Sequence, residues 1–326
     1  MNKKYEIDSA GSLIVQDVPI AYDDQTIGDV EKMLFKKASD VLTINYIHVI
    51  DSVGHLVGIF SIREIFRFPE ETLLSEIYHK KIVSVLPETD KEQVVMLALK
   101  NNLKSMPVVS KDNVFLGVIP NDTIMKTLYE EMTEDIMHIS GISQEGSFID
   151  TEKSLPIIRT MKRRLPWLVI GMMGGILAAG IVGMFEEMLS NYIILAAFIP
   201  LIVYMSGASC SQMQAFIIRD LAFNPKLKFV QYLFKQSGTT ILIGILTSII
   251  LYIVSLGLYG EPMISFVLSI ALLFAITSSL LTGIIIPFLF ARLKLDPADA
   301  SGPIGTIIQD IISVFVYLVV ASWLLL

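Results

Sequence analysis

The residues with most chemistry to offer lie where polar groups are hardest to keep. "YMSGASCSQMQAFIIRD" (204–220) continues the apolar run "NYIILAAFIPLIV" (191–203) unbroken, yet brings hydroxyls, a thiol and two glutamines. Asp310 stands alone in the apolar segment 303–326. Polar groups at membrane depth are costly unless they face protein or water, and ionisable groups there mark ion or substrate paths. The polar patch could therefore face the Asp310 carboxylate across a wet cavity. The alternative is packing. "SGAS" also suits close helix approach, Cys210 fits as a small packing residue, and Asp310 can serve as a hydrogen-bonded structural acid.

Positioning these groups needs membrane helices of roughly 20 apolar residues. Five candidates occur, at about 166–185, 192–218, 236–258, 262–290 and 303–326. Lys162, Arg163 and Arg164 precede the first, Arg219, Lys226, Lys228 and Lys235 follow the second, and Arg292 and Lys294 follow the fourth. The loops around 186–191 and 257–262 carry no base. The positive-inside rule then puts the N-terminal part in the cytoplasm and Leu326 outside. At 1.5 Å per residue, Ser209–Gln212 lie roughly 10–15 Å above the inner end of the second helix and Asp310 roughly 10 Å above that of the fifth. Patch and carboxylate thus share a depth. Pro200 and Pro287 are expected to kink their helices. Glu186 and Glu187 at the outer rim read as solvated loop acids.

The N-terminal half differs in kind. Residues 1–164 hold 25 of the 32 acids, 19 of the 25 Lys and Arg, and all four histidines. An acidic soluble half joined to a hydrophobic one argues for two domains and against nucleic acid as partner. "MNKKYEIDSAGS" predicts no secretory leader, and the single cysteine excludes a disulfide framework. "IHVIDSVGHLVGIFSIREI" (47–65) and "MPVVSKDNVFLGVIPNDTI" (106–124) align without gaps at an offset of 59. Each reads as strand, turn, strand and helix start, and each follows a helical stretch. Two α/β modules of this size pack as a pair. His48, His55, His79 and His138 are scattered and make no metal cluster. The spans hold no histidine, so the alternative of a membrane-embedded enzyme regulated by the soluble half lacks a nucleophile–base pair.

The repeat resembles tandem CBS domains, which often bind adenine nucleotides through Gly-h-h-Ser/Thr-x-x-Asp. The first copy reads Gly58-Ile-Phe-Ser61-Ile-Arg-Glu64, so Ser61 and Glu64 are candidate nucleotide contacts. The second has Pro120 and Thr123 at the polar positions, so ATP is expected weakly or not at all. A CBS pair, a basic linker and five helices together resemble the MgtE magnesium-transporter family. "EEMTEDIMHISG" (130–141) is similar to its acidic connecting segment, "RRLPWLVIGMMGGILAAGIVGMFE" (163–186) to its first span, "PLIVYMSGASCSQMQAFIIRDLA" (200–222) to its GGNxGxQ signature, and "LDPADASGPIGTIIQDI" (295–311) to its last span. Ser206, Gly207 and Ala208 replace Gly-Gly-Asn, Cys210 replaces a second Gly, Gln212 is retained, and Gly302 stands where the family can have Asn.

The resemblance implies an α/β tandem CBS pair followed by an all-α membrane domain of five helices. Its expected divisions are a CBS domain over 1–135 (modules about 10–68 and 72–130), a connecting plug helix and linker over 136–164, and transport helices over 165–326. It implies a homodimeric, multi-pass, non-enzymatic channel or transporter among membrane lipid. Mg2+ is the default cargo, and another divalent metal or a coupled substrate the alternative. Pore residues would be Asp310, Ser209, Ser211, Gln212, Gly207 and Ala208. Glu131, Glu134 and Asp135 remain for regulatory Mg2+. Thr123 and Lys126 stand where relatives place further acids, and the family's N-terminal acidic helical domain is expected to be missing.

Overall fold

The structure, a computed structural model, describes residues 5–37, 41–142, 156–224, 227–293, 295, 297–298 and 302–325. The chain divides into two compact units, Met1–Met132 and Thr133–Leu326.

In the first unit a three-stranded sheet is formed by β1 (Ile20–Tyr22), β2 (Tyr46–Ile50) and β3 (Leu56–Ser61), with α1 (Ile27–Lys37) between β1 and β2. Short helices α2 (Ile62–Ile65) and α3 (Leu74–Ile77) follow. The second module has α4 (Lys91–Lys100) and a two-stranded sheet of β4 (Ser105–Val109) and β5 (Phe115–Pro120). It passes into the long helix α5 (Asn121–Ile139), which crosses from one unit to the other.

The repeat recurs residue by residue. Val49 pairs with Gly58 and Val108 with Gly117, and the register slips directly after Val49 and after Val108. Gly54 and its counterpart Asn113 both take positive φ, 96° and 61°, the conformation a tight strand connection needs. Gly58 and Gly117 are glycines for space. A Cβ at Gly58 would enter the Tyr78 ring, and one at Gly117 would lie 2.5 Å from the Val15 carbonyl. Leu56 and Phe115 amides bond the Asn113 and Gly54 carbonyls at 3.1 and 3.0 Å, tying the two hairpins together. Each module buries its own apolar face, around Ile27, Ile47 and Phe60 in the first and Val94, Met106 and Ile119 in the second.

In the second unit, α6 (Ile157–Met184), α8 (Ile193–Phe223), α9 (Phe229–Tyr259), the span Pro262–Arg292 and the last helix, α12 (Pro303–Leu325), are each long and apolar enough to cross a membrane. A short helix, α7 (Glu186–Asn191), joins α6 to α8 and leaves Glu186 and Glu187 exposed. The span Pro262–Arg292 consists of α10 (Pro262–Leu280), a π-helical segment (Leu281–Ile285) and α11 (Ile286–Arg292). Pro287 explains that wide turn. It has no N–H for the Gly283 carbonyl, and its ring crowds the preceding turn, so the helix widens there rather than breaking. Pro200 lies inside α8, which continues through it. Half of this fourth span's apolar stretch is buried within the chain, against 6% for α6. The fourth span is therefore the centre of the bundle. Its core joins Leu195 and Ile202 of α8, Leu268 and Leu272 of α10, and Tyr317 of α12. The Tyr317 hydroxyl donates to the Leu195 carbonyl at 2.8 Å.

One polar side chain in the first unit is sealed in. His48 is 1% exposed, stacks on Phe115 at 5.1 Å and directs Nδ1 to the Pro19 carbonyl at 3.3 Å. Burial pushes it down to about 4, with the Pro19 contact opposing weakly. The unfolded chain, titrating near 6.5, thus binds a proton that the fold refuses. Stability is complete above about pH 6.5 and falls as pH drops toward 4. Between pH 7 and 5 the loss should be about 2 kcal/mol, at about 1.4 kcal/mol per pH unit. Urea unfolding followed through amide exchange of β2 should show that slope, and His48→Phe should flatten it. An equal slope in the variant would move the effect to other groups.

Candidate ion-binding site in the membrane helices

Three elements of the second unit converge on the polar stretch of α8. Rotation of 100° per residue decides which of its side chains turn inward. Ser206, Cys210, Met213 and Gln214 are buried, whereas Ser211 and Gln212 are exposed on the outside of the protomer. Gly207, Ala208 and Ser209 lie between these extremes.

Asp310 of α12 is partly buried. Among the described residues its carboxylate accepts no hydrogen bond and forms no ion pair. Its backbone carbonyl accepts the Ser313 hydroxyl at 3.0 Å. The residue facing it is Gly207, at which an added Cβ would stand 3.9 Å from Oδ1. The backbone of α8 therefore passes the carboxylate with no side chain between. Gly207 and Asp310, both expected at the site, are brought together.

The other expected ligands are placed differently. Ser209 accepts a hydrogen bond from Ser279 of α10 at 3.0 Å, so its hydroxyl is engaged in helix packing. Ser211, one turn after Gly207, is exposed, as is Gln212, turned a further 100°, and no hydrogen bond among the described residues joins either to Asp310. Cys210, read from sequence as a packing residue, also has a polar contact. Its Sγ is 3.3 Å from Thr282 Oγ1, and that hydroxyl donates to Gln309 Oε1. Gln309 Nε2 donates onward to Ser278 at 3.4 Å, and Ser278 to the Ala275 carbonyl at 2.7 Å.

Ser278, Ser279, Thr282 and Gln309 were not singled out from sequence. The signals were present in "ITSSLLTG" of the fourth span and in the Gln beside Asp310. Gln214, 4% exposed, also keeps its Nε2 without a hydrogen-bond partner. Among the described residues no group of three or more His, Cys, Asp or Glu could hold a metal ion.

Gly302, which stands where an amide can occur in the resembled family, has a steric reason to be glycine. It is buried, and a Cβ there would lie 2.5 Å from the His138 carbonyl. The end of α5 thus rests on the first turn of α12. It is capped by Gly141 at φ 69°, with the Gly141 amide donating to the His138 carbonyl and the Ile142 amide to that of Met137, each at 2.9 Å.

On α5 itself, Glu131 meets Lys91 at 3.1 Å, and Lys91 also meets Asp8 at 2.7 Å. Burial alone would lower the Lys91 ammonium, but the Asp8 hydrogen bond and the Glu131 charge outweigh it and hold the group well above the usual lysine range. Glu134 lies 4.0 Å from His138 on the same helix face. Asp135 is partly buried and engaged in a contact of its own. The expected Glu131 ligand therefore already has a cation.

Ser61 and Glu64 form a capping box for α2. The Ser61 hydroxyl accepts from the Arg63 amide at 3.4 Å, and Glu64 Oε2 from the Ser61 amide at 2.7 Å. Glu64 Oε1 lies 3.4 Å from His79 Nε2. They line a cavity of about 480 Å³ with Tyr46, Arg63 and Arg67.

The model of the MgtE family, described as divalent cation transporters, matches residues 199–320, and CBS-domain models match 10–71 and 74–130. The magnesium transporter MgtE of Bacillus subtilis is 30% identical over 320 residues, covering 98% of this chain and 70% of that protein. That of Thermus thermophilus is 31% identical over 324 residues, covering 99% and 71%. A crystal structure of the cytosolic domain of the Mg2+ channel MgtE in complex with ATP is 31% identical and overlays 38% of this chain and 50% of its own, at a TM-score of 0.37. Identity that runs through both CBS modules and all five apolar helices admits one conclusion: the chain belongs to the MgtE family.

Proposed function

We propose that the protein carries divalent cations, Mg2+ foremost, through a pore between two copies of the chain, under control of its cytosolic CBS pair. The observation carrying this reading is the partly buried Asp310 carboxylate, unpaired among the described residues and faced by the bare backbone at Gly207. An unpaired acid within a span is expensive unless water or a cation reaches it. One carboxylate per protomer, with no metal cage among the described residues, suits a site completed by a second copy. The exposed Ser211 and Gln212, with Ala208, would then lie where that copy and hydrated ions approach. The distribution of Lys and Arg supports a cytoplasmic N-terminal unit and an outer C-terminus.

Regulation would run through α5, whose end rests on the helix that carries Asp310. Cytosolic Mg2+ would act at Glu134 and Asp135 and compete with Lys91 for Glu131. A nucleotide at Ser61 and Glu64 would have to form around a capping box already closed, so ATP binding should be weak. A second reading, transport of other divalent metals by the same fold, is favoured by Ala208, which offers no side-chain oxygen. Flux of Mg2+, Mn2+, Co2+ and Ca2+ in proteoliposomes separates the two. A strong Mg2+ preference would leave the missing amide without a role in selectivity.

Asp310→Asn keeps the shape and removes the charge. Two carboxylates facing a divalent ion at about 4–5 Å are worth several kcal/mol at an effective dielectric of about 20. Mg2+ flux should therefore fall at least about a hundredfold. Ser209→Ala, which breaks only the bond to Ser279, should cost far less. An assembled Asp310→Asn protein conducting at the wild-type rate would end the pore assignment.

Mass measurement in detergent should give a dimer, and a monomer at working concentration would contradict the shared pore. Lys91→Gln leaves Asp8 and Glu131 without their cation. Mg2+ should then protect α5 from protease at concentrations at least about tenfold lower than in the parent protein, a shift of about 1.4 kcal/mol. An unchanged midpoint would show that Lys91 does not compete with Mg2+.

A further inference from the structure

Two neighbouring polar residues on α12 receive opposite treatment. Gln309 has no exposure, and both ends of its amide are bonded. Asp310, one residue on, is partly open and has no side-chain partner among the described residues. The Gln309 bonds belong to a directional series. Thr282 donates to Gln309, Gln309 to Ser278, and Ser278 to the Ala275 carbonyl; with the Thr282 proton on Gln309, the Cys210 thiol is left to donate to Thr282. The Thr282 hydroxyl also lies 3.4 Å from the Ser279 carbonyl, a longer alternative for the same proton. The series joins α8, the π-helical segment, α12 and α10 at the depth of the carboxylate.

We propose that Gln309 is a positioning residue for ion binding, acting through Asp310. The reason is competition. Ser278 and Thr282 are hydroxyl donors on the helix next to Asp310, and a carboxylate is a stronger acceptor than an amide. A rotation of α12 by one residue, 100°, would offer them the carboxylate and convert it into a bonded structural group. The Gln309 amide accepts the Thr282 proton and donates to Ser278, whose own proton goes to the Ala275 carbonyl, so both hydroxyls stay engaged and Asp310 stays turned toward Gly207 and open. The π-helical turn is part of this arrangement, because Thr282 lies within it. π-turns inside helices are frequent at functional sites.

This rests on the assignment of Asp310 to the ion path, and the test separates the two. Thr282→Val keeps the volume and deletes the donor, whereas Thr282→Ser keeps it. Half-saturating Mg2+ for flux, measured in proteoliposomes and corrected for assembled protein, should rise about tenfold in Thr282→Val and return to the parent value in Thr282→Ser. Gln309→Leu should behave as Thr282→Val. In the Asp310→Asn background Gln309→Leu should add nothing, since a residue acting through the carboxylate has no target left. If Asp310→Asn lowers flux and Gln309→Leu lowers it further in that background, Gln309 does not act through Asp310 and the positioning role is wrong. Equal half-saturation for Thr282→Val and Thr282→Ser overturns it too, whether or not Gln309→Leu assembles. Loss of any effect from Asp310→Asn itself would instead remove the pore assignment.

Discussion

The apolar medium around the second unit allows its polar groups three fates: a protein partner, water, or an ion. Most polar side chains described in the spans take the first. Ser269, Thr247 and Thr277 return their hydroxyls to carbonyls of their own helices, at 2.7, 2.9 and 2.8 Å. Tyr317 reaches across to Leu195. The Cys210–Thr282–Gln309–Ser278 series runs between helices and ends on the Ala275 carbonyl. Among the described residues Gln214 Nε2 and Ser248 Oγ also go without a hydrogen-bond partner, and Asp310 is the acid that joins them, with Gly207 beside its carboxylate.

Small residues make that geometry reachable. Gly207 lets α8 approach Asp310, Gly283 lets the π-helical segment approach the Cys210 carbonyl at 3.2 Å from an added Cβ, and Gly302 admits the end of α5. Each works by the absence of a side chain, so the same residues that pack the bundle also shape the opening. Within "SGAS", Ser206 and Ser209 bond inside the helix packing, and Gly207 stands beside the Asp310 carboxylate. Pro287 contributes from a distance by widening the turn that carries Thr282.

The first unit shows the same economy with charge. Lys91 draws Asp8 and Glu131 to one point, so α5 is held to the start of the CBS pair by a cation that is part of the chain. A lysine cannot be diluted away as a soluble ion can.

Much of this was legible in the sequence. The offset of 59 gave both modules, because strand alternation and turn residues are local and repeat with the chain. The apolar runs gave all five helices, because a bilayer imposes length and composition whatever the neighbours. Helix starts were less legible: α6 begins at Ile157 and α9 at Phe229, since charged and aromatic residues extend a helix past the apolar core that betrays it. Asp310 declared itself by type and place. What only the tertiary structure decided is which partners each polar group takes. Ser209 meets Ser279 across 70 positions, Thr282 meets Gln309 across 27, and Glu131 meets Lys91 of another helix. Hydrogen bonds between helices depend on rotation, crossing and register, which no local pattern encodes. The sequence alone therefore named the acid, and the packing of the helices decided that it would be left open.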